Sequence, residues 1–471
     1  MKKLKYNIIA LLFVAFTSCN DWLAVEPETS VDESKLFATE QGFKDAIAGV
    51  YVHMASESLY GEEMTFGFLD VLAQQYDYET MGTPFHKYYK DRDYDYADAS
   101  VKKRIATIWN EMYSAISEIN NILKWLDVNG NVLPEASYHR IKGECLLTRA
   151  YLHYDLLRLF APNVKVSPDA KGIPYVTIFG VEPTEPLSVS QTIQLALEDI
   201  AEAKVELAND PILSTAPYQF TNKIESDRYV ARANYYAADA LSARIYLDMG
   251  DYPHAVSAAE SVIHSGKFNL LNVGKSINVN PDSLDILFSD EHIFSLRNTR
   301  IRTYSEELHL AKRTETSSSG ASLPLPSNIS EIYAGNNDDI RFSTWVEVGT
   351  NYLLKYNREI KRFYPKQTLI RLSEMYLILA EAQLKTNNNK ALETLNILRR
   401  TRITNPATQD IPVLSENEIV NEMRREFIGE GQLFFLFKRL NRAIPNILQD
   451  VAPGNVVFVF PIPDSEKEYG L

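Results

Sequence analysis

The stretch "NYYAADALSARIYLDMGDYPHAVSAAESVI" (234–263) constrains the fold of this chain more than any other. Two helical periods meet across Met249-Gly250-Asp251-Tyr252, and Ala240, Ala243, Ala255 and Ala259 fall where the two helices touch. Small residues at those places let the helix axes approach, and the glycine lets the chain reverse, as in a tetratricopeptide repeat. One such pair cannot bury its apolar face by itself, so the pattern demands stacked neighbours.

The neighbours are present. "IATIWNEMYSAISEINNILKWL" places Ile108, Met112, Ile116, Ile119, Leu123 and Leu126 three or four residues apart, which predicts one stripe of an amphipathic helix. "SYHRIKGECLLTRAYLHYDLLRLF" repeats the pattern through Ile141, Cys145, Leu146, Ala150, Tyr154 and Leu157, after a break at Asn-Gly and Pro134. "TIQLALEDIAEAKVEL" adds a third helix, and "RLSEMYLILAEAQLKTNNNKALETLNILRRTRI" is another pair, turning at Asn387 to Asn389. About four pairs result, counting damaged ones. The expectation is a mostly α chain whose pairs stack into a right-handed superhelical scaffold over about 100–160, 190–265 and 366–402. Tyr151, Tyr154, Tyr246 and Tyr376 lie on these helices and read as core.

Two regions break the helical period. Residues 61–99 are rich in Gly, Asp and Tyr ("QQYDYETMGTPFHKYYKDRDYDYAD"), and residues 267–364 carry Pro, Gly, Ser and Asn clusters. A structureless segment of the second length does not fit inside a compact domain, so local structure with little β is expected there. Insertions that leave a scaffold are where binding residues collect. Aromatic rings stack on the C–H faces of sugars while amides and carboxylates fix the hydroxyls. The candidate ligand contacts are therefore Tyr76, Tyr78, Phe85, Tyr88 and Tyr89 in the first insertion and Trp345 in the second, with Tyr304, Tyr352 and Tyr356 behind them. Asp91, Asp93 and Asp95 alternate as in a calcium loop. The EF-hand pattern fails at Tyr96 and Lys102, where glycine and glutamate belong, so a solvated acidic turn is favoured over a structural calcium.

The chain opens with Lys2, Lys3 and Lys5, then an apolar run from Ile8 to Phe16, then Thr17-Ser18-Cys19. A basic start and a short apolar core read as a signal peptide over 1–18. Small residues before a cysteine resemble the lipobox of bacterial lipoproteins, in which the thiol of Cys19 would be acylated and would hold the chain to a membrane. Asn20 and Asp21 resemble the export signal for the outer face of the outer membrane in Bacteroides-like bacteria. The other cysteine, Cys145, sits on a helix as a small buried hydrophobe.

Five signatures together resemble the SusD/RagB family: "GECLLTRAYLHYDLLRLFAPN" (143–163), "RLSEMYLILAEAQL" (371–384), "LNILRRTR" (395–402), "NEMRREFIGEGQLFFLFKRL" (421–440) and "FPIP" with Glu466. Many members have Arg and Asp where this chain has Leu433 and Leu436, a form that shorter members share. The resemblance, which runs from Cys19 to the end, implies a single SusD-like domain over 19–471. It implies a non-catalytic surface lipoprotein that acts as the hinged lid of a TonB-dependent, SusC-like transporter. Its helices would face the barrel, and its irregular half would bind an oligosaccharide, or a peptide as in RagB-like members. A tetratricopeptide adaptor for proteins is the remaining alternative.

The residues agree with a binding role. The eight histidines form no His-Glu-x-x-His, and neither a Gly-x-Ser-x-Gly elbow nor a phosphate-binding Gly-rich loop occurs. Acids are abundant, yet most stand at helical spacing beside Arg or Lys and read as solvated faces. The net charge of -14 disfavours nucleic acid as a partner.

Overall fold

A computed structural model of the chain describes residues 33–77, 87–214, 232–271, 285–309, 323–335, 337–356, 366–446 and 448–467. The architecture is mostly helical. Its long helices are α1 (Glu40–Met54), α2 (Ala99–Asn129), α3 (Glu135–Phe160), α4 (Val189–Glu206), α5 (Tyr235–Met249), α6 (Tyr252–His264), α7 (Leu372–Leu384), α8 (Asn388–Arg400), α9 (Glu416–Glu426) and α10 (Gln432–Leu440).

Short polar side chains start these helices by accepting orphan N–H bonds. Asp98 accepts from Ser100 ahead of α2, Asn234 from Tyr236 and Ala237 ahead of α5, and Asn387 from Lys390 ahead of α8. Ser188 and Gln191 form a reciprocal capping box at α4. Gly250 ends α5 with φ 78°, a left-handed conformation that only glycine adopts without strain, and α6 begins two residues later. Ala240, Ala243, Ala255 and Ala259 are all fully buried between α5 and α6. This is the close helix pair that the spacing predicts.

α3 is the central helix. From Gly143 to Phe160 every residue is buried, because α2 and α4 cover it on separate sides. A helix in that position cannot keep a polar face wet, so its polar residues must find partners. Arg149 donates twice to Asp199, at 2.7 and 2.8 Å, and once to Asn120. The Val176 N–H donates to His153 Nε2 at 2.9 Å, which leaves the other ring nitrogen to donate to the Arg149 carbonyl. Burial pushes that imidazole down to about 3, so it is neutral. Cys145 is buried as expected, and burial pushes its thiol up. Tyr151 and Tyr154 are core, whereas Tyr246 and Tyr376 are only half-buried at the edge of their helices.

Two regions depart from expectation. Residues 61–76 do not leave the scaffold: Phe66, Phe68, Leu69, Val71 and Leu72 are completely buried. Residues 366–371, expected at the start of a helix, form strand β4 (Lys366–Arg371). It pairs antiparallel with β3 (His292–Arg297), which gives the second insertion its local structure. Both strands are buried almost throughout and tie that insertion to α7, which follows β4 without a break. β1 (Lys171–Pro174) and β2 (Pro186–Ser188) make a second short antiparallel pair.

Candidate functional site

The acids are the main surprise of the interior. Glu422 and Glu426 lie one turn apart on α9 and face the same buried space. Glu426 is shared by Arg341, Arg371 and Arg402. Glu422 pairs with Arg341 at 2.7 Å, Arg399 at 2.8 Å and Arg425 at 2.9 Å. Arg402 also reaches Glu291 at 2.7 Å, and Arg371 reaches Glu430 at 2.9 Å. These carboxylates are not solvated faces. Burial would raise Glu422, but the guanidinium groups of Arg341, Arg425 and Arg399 outweigh it and hold the carboxyl at about 2.

The turn after α9 is locked to the buried segment 61–76, which forms an inner layer. The Asp70 carboxylate accepts from the N–H groups of Gly429 at 2.7 Å and Gly431 at 3.0 Å. Burial pushes this carboxyl up to about 8 in spite of those two bonds. Gly431 has φ 69°, and a Cβ there would come within 2.2 Å of the Met64 carbonyl oxygen, so glycine at 431 is a steric requirement.

The opposite side of α9 forms a wall of a cleft of about 340 Å³. Asn421, Arg424 and Arg425 stand on that wall, Gln74 to Asp77 make the second, and Pro326, Asn328, Glu331 and Ile332 make the third. Pro445, Asn446 and Leu448 complete the rim. The volume falls within the range of small-ligand clefts. Its lining is dominated by side-chain amides and charged groups. Gln74 is held by the Arg92 carbonyl and the Tyr94 hydroxyl, and it accepts from Asn446, which braces the rim against the inner layer. Arg425 ties two walls together by donating to the Ile332 carbonyl at 2.6 Å while pairing with Glu422 behind.

The aromatic candidates fare differently. Tyr76 lines the cleft, but it is only 2% exposed and its hydroxyl donates to the Phe66 carbonyl. Trp345 is 0% exposed; its indole N–H donates to the Ile286 carbonyl at 2.7 Å and the Lys355 ammonium sits 3.9 Å from its ring. It is a core residue with no face to offer a ligand, and the expectation of a Trp345 contact is corrected. Tyr88 is likewise buried, donating to Glu62 and Glu63 under the Arg104 guanidinium. Tyr304 and Tyr356 are buried too, the first beneath Arg300 and the second donating to the Gly429 carbonyl. Tyr89, part-exposed under Arg92, and Tyr352, half-buried, do not line the cleft. Tyr78, Phe85, the signal segment 1–18 and Cys19 lie outside the described residues.

Asp91 points inward to Arg104 at 3.0 Å, Asp93 faces solvent, and Asp95 accepts from the Ala97 N–H. Among the described residues, no group of three His, Cys, Asp or Glu side chains is placed to hold a metal. No described helix is long and apolar enough to cross a membrane.

A family model described as starch-binding and associating with the outer membrane matches residues 21–247, and the SusD family model matches residues 324–466. Between them they take in α1 to α4, most of α5, and α7 to α10. The chain belongs to the SusD family. A SusD superfamily protein of Bacteroides thetaiotaomicron has the same fold, with a TM-score of 0.71 at 23% identity over 91% of this chain and 98% of that one. A SusD-like carbohydrate binding protein of Bacteroides vulgatus gives 0.68 at 17% identity, over 92% and 96%. A SusD-like protein of Formosa agariphila is 24% identical over 275 residues, 57% of this chain and 48% of its own length. The chain thus spans about half the length of the curated relatives it matches. SusD proteins are binding proteins, and the family associates with the outer membrane.

In this SusD chain the departures Leu433 and Leu436 are buried in α10, where they pack as core. The amides Gln75, Asn328 and Asn421 and the guanidinium of Arg424 were not singled out by sequence reasoning. Gln74-Gln75 directly precedes the aromatic Tyr76, and Arg424 lies inside a recognised signature, so both signals were present. What was missing was the side of α9 on which each residue falls.

Proposed function

We propose that this SusD-family protein is a lipid-anchored capture protein on the outer face of the outer membrane. A signal peptide over 1–18 is removed, Cys19 is acylated, and the rest forms one SusD-like domain. The domain takes an oligosaccharide into the cleft in front of α9, hands it to a SusC-like TonB-dependent transporter as its hinged lid, and catalyses nothing.

One observation carries this reading: both irregular regions converge on one cleft whose walls present amides, carboxylates and a guanidinium. Those groups donate and accept in the mixture that sugar hydroxyls require. The carbohydrate-binding relative of the same fold supports the ligand class. The peptide alternative also has support, because among the described residues Tyr76 is the sole aromatic ring lining the cleft, and it exposes almost none of its face.

Calorimetry with neutral and acidic oligosaccharides and with short peptides, titrated into the full-length protein in detergent, separates the two ligand classes. Saccharide binding that Asn421→Ala weakens about tenfold is the expected result, the loss of one or two hydrogen bonds. Binding of peptides alone would replace the saccharide reading. Affinity purification from outer membrane should recover a β-barrel transporter, and recovery of soluble proteins in its place would favour an adaptor.

A further inference from the structure

Arg424 differs from the arginines around it. Its neighbour Arg425 is satisfied by Glu422 and the Ile332 carbonyl, and Arg341, Arg371, Arg399 and Arg402 all hold carboxylates. Arg424 Nε is buried without a hydrogen-bond partner, and among the described residues no carboxylate forms an ion pair with this guanidinium. The side chain lines the cleft.

We propose that the cleft is built for a saccharide carrying one carboxylate per recognised unit, a uronate, and that Arg424 is the group that pairs with it. The inference rests on the saccharide reading of the same cleft.

Three features support it. A guanidinium stays charged in any protein environment, so an unpaired and partly desolvated one is favourable only if an anion arrives. Its planar fork matches a carboxylate with two parallel hydrogen bonds, shorter and stronger than neutral ones. Burial and the adjacent Arg425 charge both press Arg424 downward from its ordinary value, and only Asp450 opposes them. An incoming carboxylate relieves both effects.

The other walls fix how much negative charge the ligand carries. Asp77 and Glu331 line the same cleft, and the chain as a whole carries -14. A heavily sulfated glycan would meet those carboxylates at close range, where like charges repel. A uronate brings one carboxylate for Arg424, and its hydroxyls donate to the acids and to the oxygens of Gln75, Asn328 and Asn421. The cleft thus discriminates against the neutral sugar, which leaves Arg424 unpaired, and against the polyanion.

The test uses the full-length protein in detergent and matched trisaccharides: galacturonate, glucuronate and mannuronate, their methyl esters, and the neutral galactose, glucose and mannose forms. At least one acid form should bind ten- to a hundredfold more tightly than its ester and its neutral counterpart, the range of a charge-assisted hydrogen bond. Arg424→Gln should remove that preference, bringing the affinity for the acid form down to that for its ester and neutral counterpart, while Arg424→Lys should restore part of it. The unfolding midpoint of Arg424→Gln should equal or exceed that of the parent, since an unpaired charge is lost; a structural arginine would lower it. Binding of neutral and acid forms with equal affinity overturns the inference and leaves the saccharide reading standing. Binding of none of the saccharides overturns that reading itself.

Discussion

The α5–α6 pair and the ionic unit around α9 fill interior space with opposite materials. Between α5 and α6 the contact is made by alanines, each contributing little and none needing a partner. Around α9, Glu422 and Glu426 are each surrounded by three arginines drawn from α8 and the residues just after it, β4, the helix Ile340–Trp345 and α9 itself. Alanine packing degrades gradually when altered, because van der Waals contacts are individually small. A buried charge network is all-or-none, because one missing partner strands the others in a medium that cannot solvate them. The stiffer material stands directly behind the cleft, so the wall that carries Asn421 and Arg424 is held from the rear.

Removing the central carboxylate should produce the largest effect. Glu426→Gln leaves Arg341, Arg371 and Arg402 short of charge, with an expected loss of about 3–5 kcal/mol in denaturant unfolding. A loss below about 1 kcal/mol would mean that the network relaxes, and the contrast with the alanine seam would disappear. Glu426→Gln combined with Arg402→Met should lose less than the sum of the two, since the partners act as a unit.

Overpacking the alanine seam comes next. Ala243→Leu should destabilise by about 1–3 kcal/mol and leave ligand affinity untouched, because the seam lies away from the cleft. Equal losses of stability and affinity would show that the two regions are coupled.

Acid titration sharpens the comparison between a carboxylate held by three guanidinium groups and one that faces a lysine ammonium. Glu422 is held at about 2, below the value of 4.5 it would have in the unfolded chain. Its stabilisation is complete above that ordinary value and is lost as pH falls through about 2. Glu62, in the inner layer, goes the other way: burial outweighs the Lys87 ammonium and pushes it up to about 7, and its Oε2 is buried without a partner. The folded state then holds the extra proton, so stability declines as pH rises from 4.5 to 7. Glu62→Gln should flatten that slope in a pH series of thermal melts, and an unchanged slope would assign it to other groups.

The smallest effect belongs to the surface. Arg400 bridges Asp410 and Glu393 with its side chain 40% exposed, and Arg400→Ala should shift stability by no more than about 0.5 kcal/mol. A larger loss would mean that exposed ion pairs here behave like buried ones.

The helices were legible because their signal is local. A stripe such as Ile108 to Leu126 and a cap such as Ser188 with Gln191 act within a few residues, and the Gly250 turn announces itself by the one residue type that fits. The candidate site was legible only in part. The Tyr76 neighbourhood does line the cleft, but Trp345 and Tyr88 read as exposed binding rings and are buried. An aromatic in a polar-looking segment carries no mark of the side from which other segments will cover it. The acids of α9 misled for the same reason, since their partners come from positions as distant as Arg341 and Arg371.

By itself the sequence determined the repeating helix pairs, their turns and the family to which the chain belongs, because periodicity, capping and glycine conformation depend on near neighbours along the chain. Tertiary structure alone decided which charges are buried, which rings are core and which side chains share a cleft. Burial and ion pairing depend on the surface brought up by other segments, and for α9 that surface comes from as far as 93 residues away.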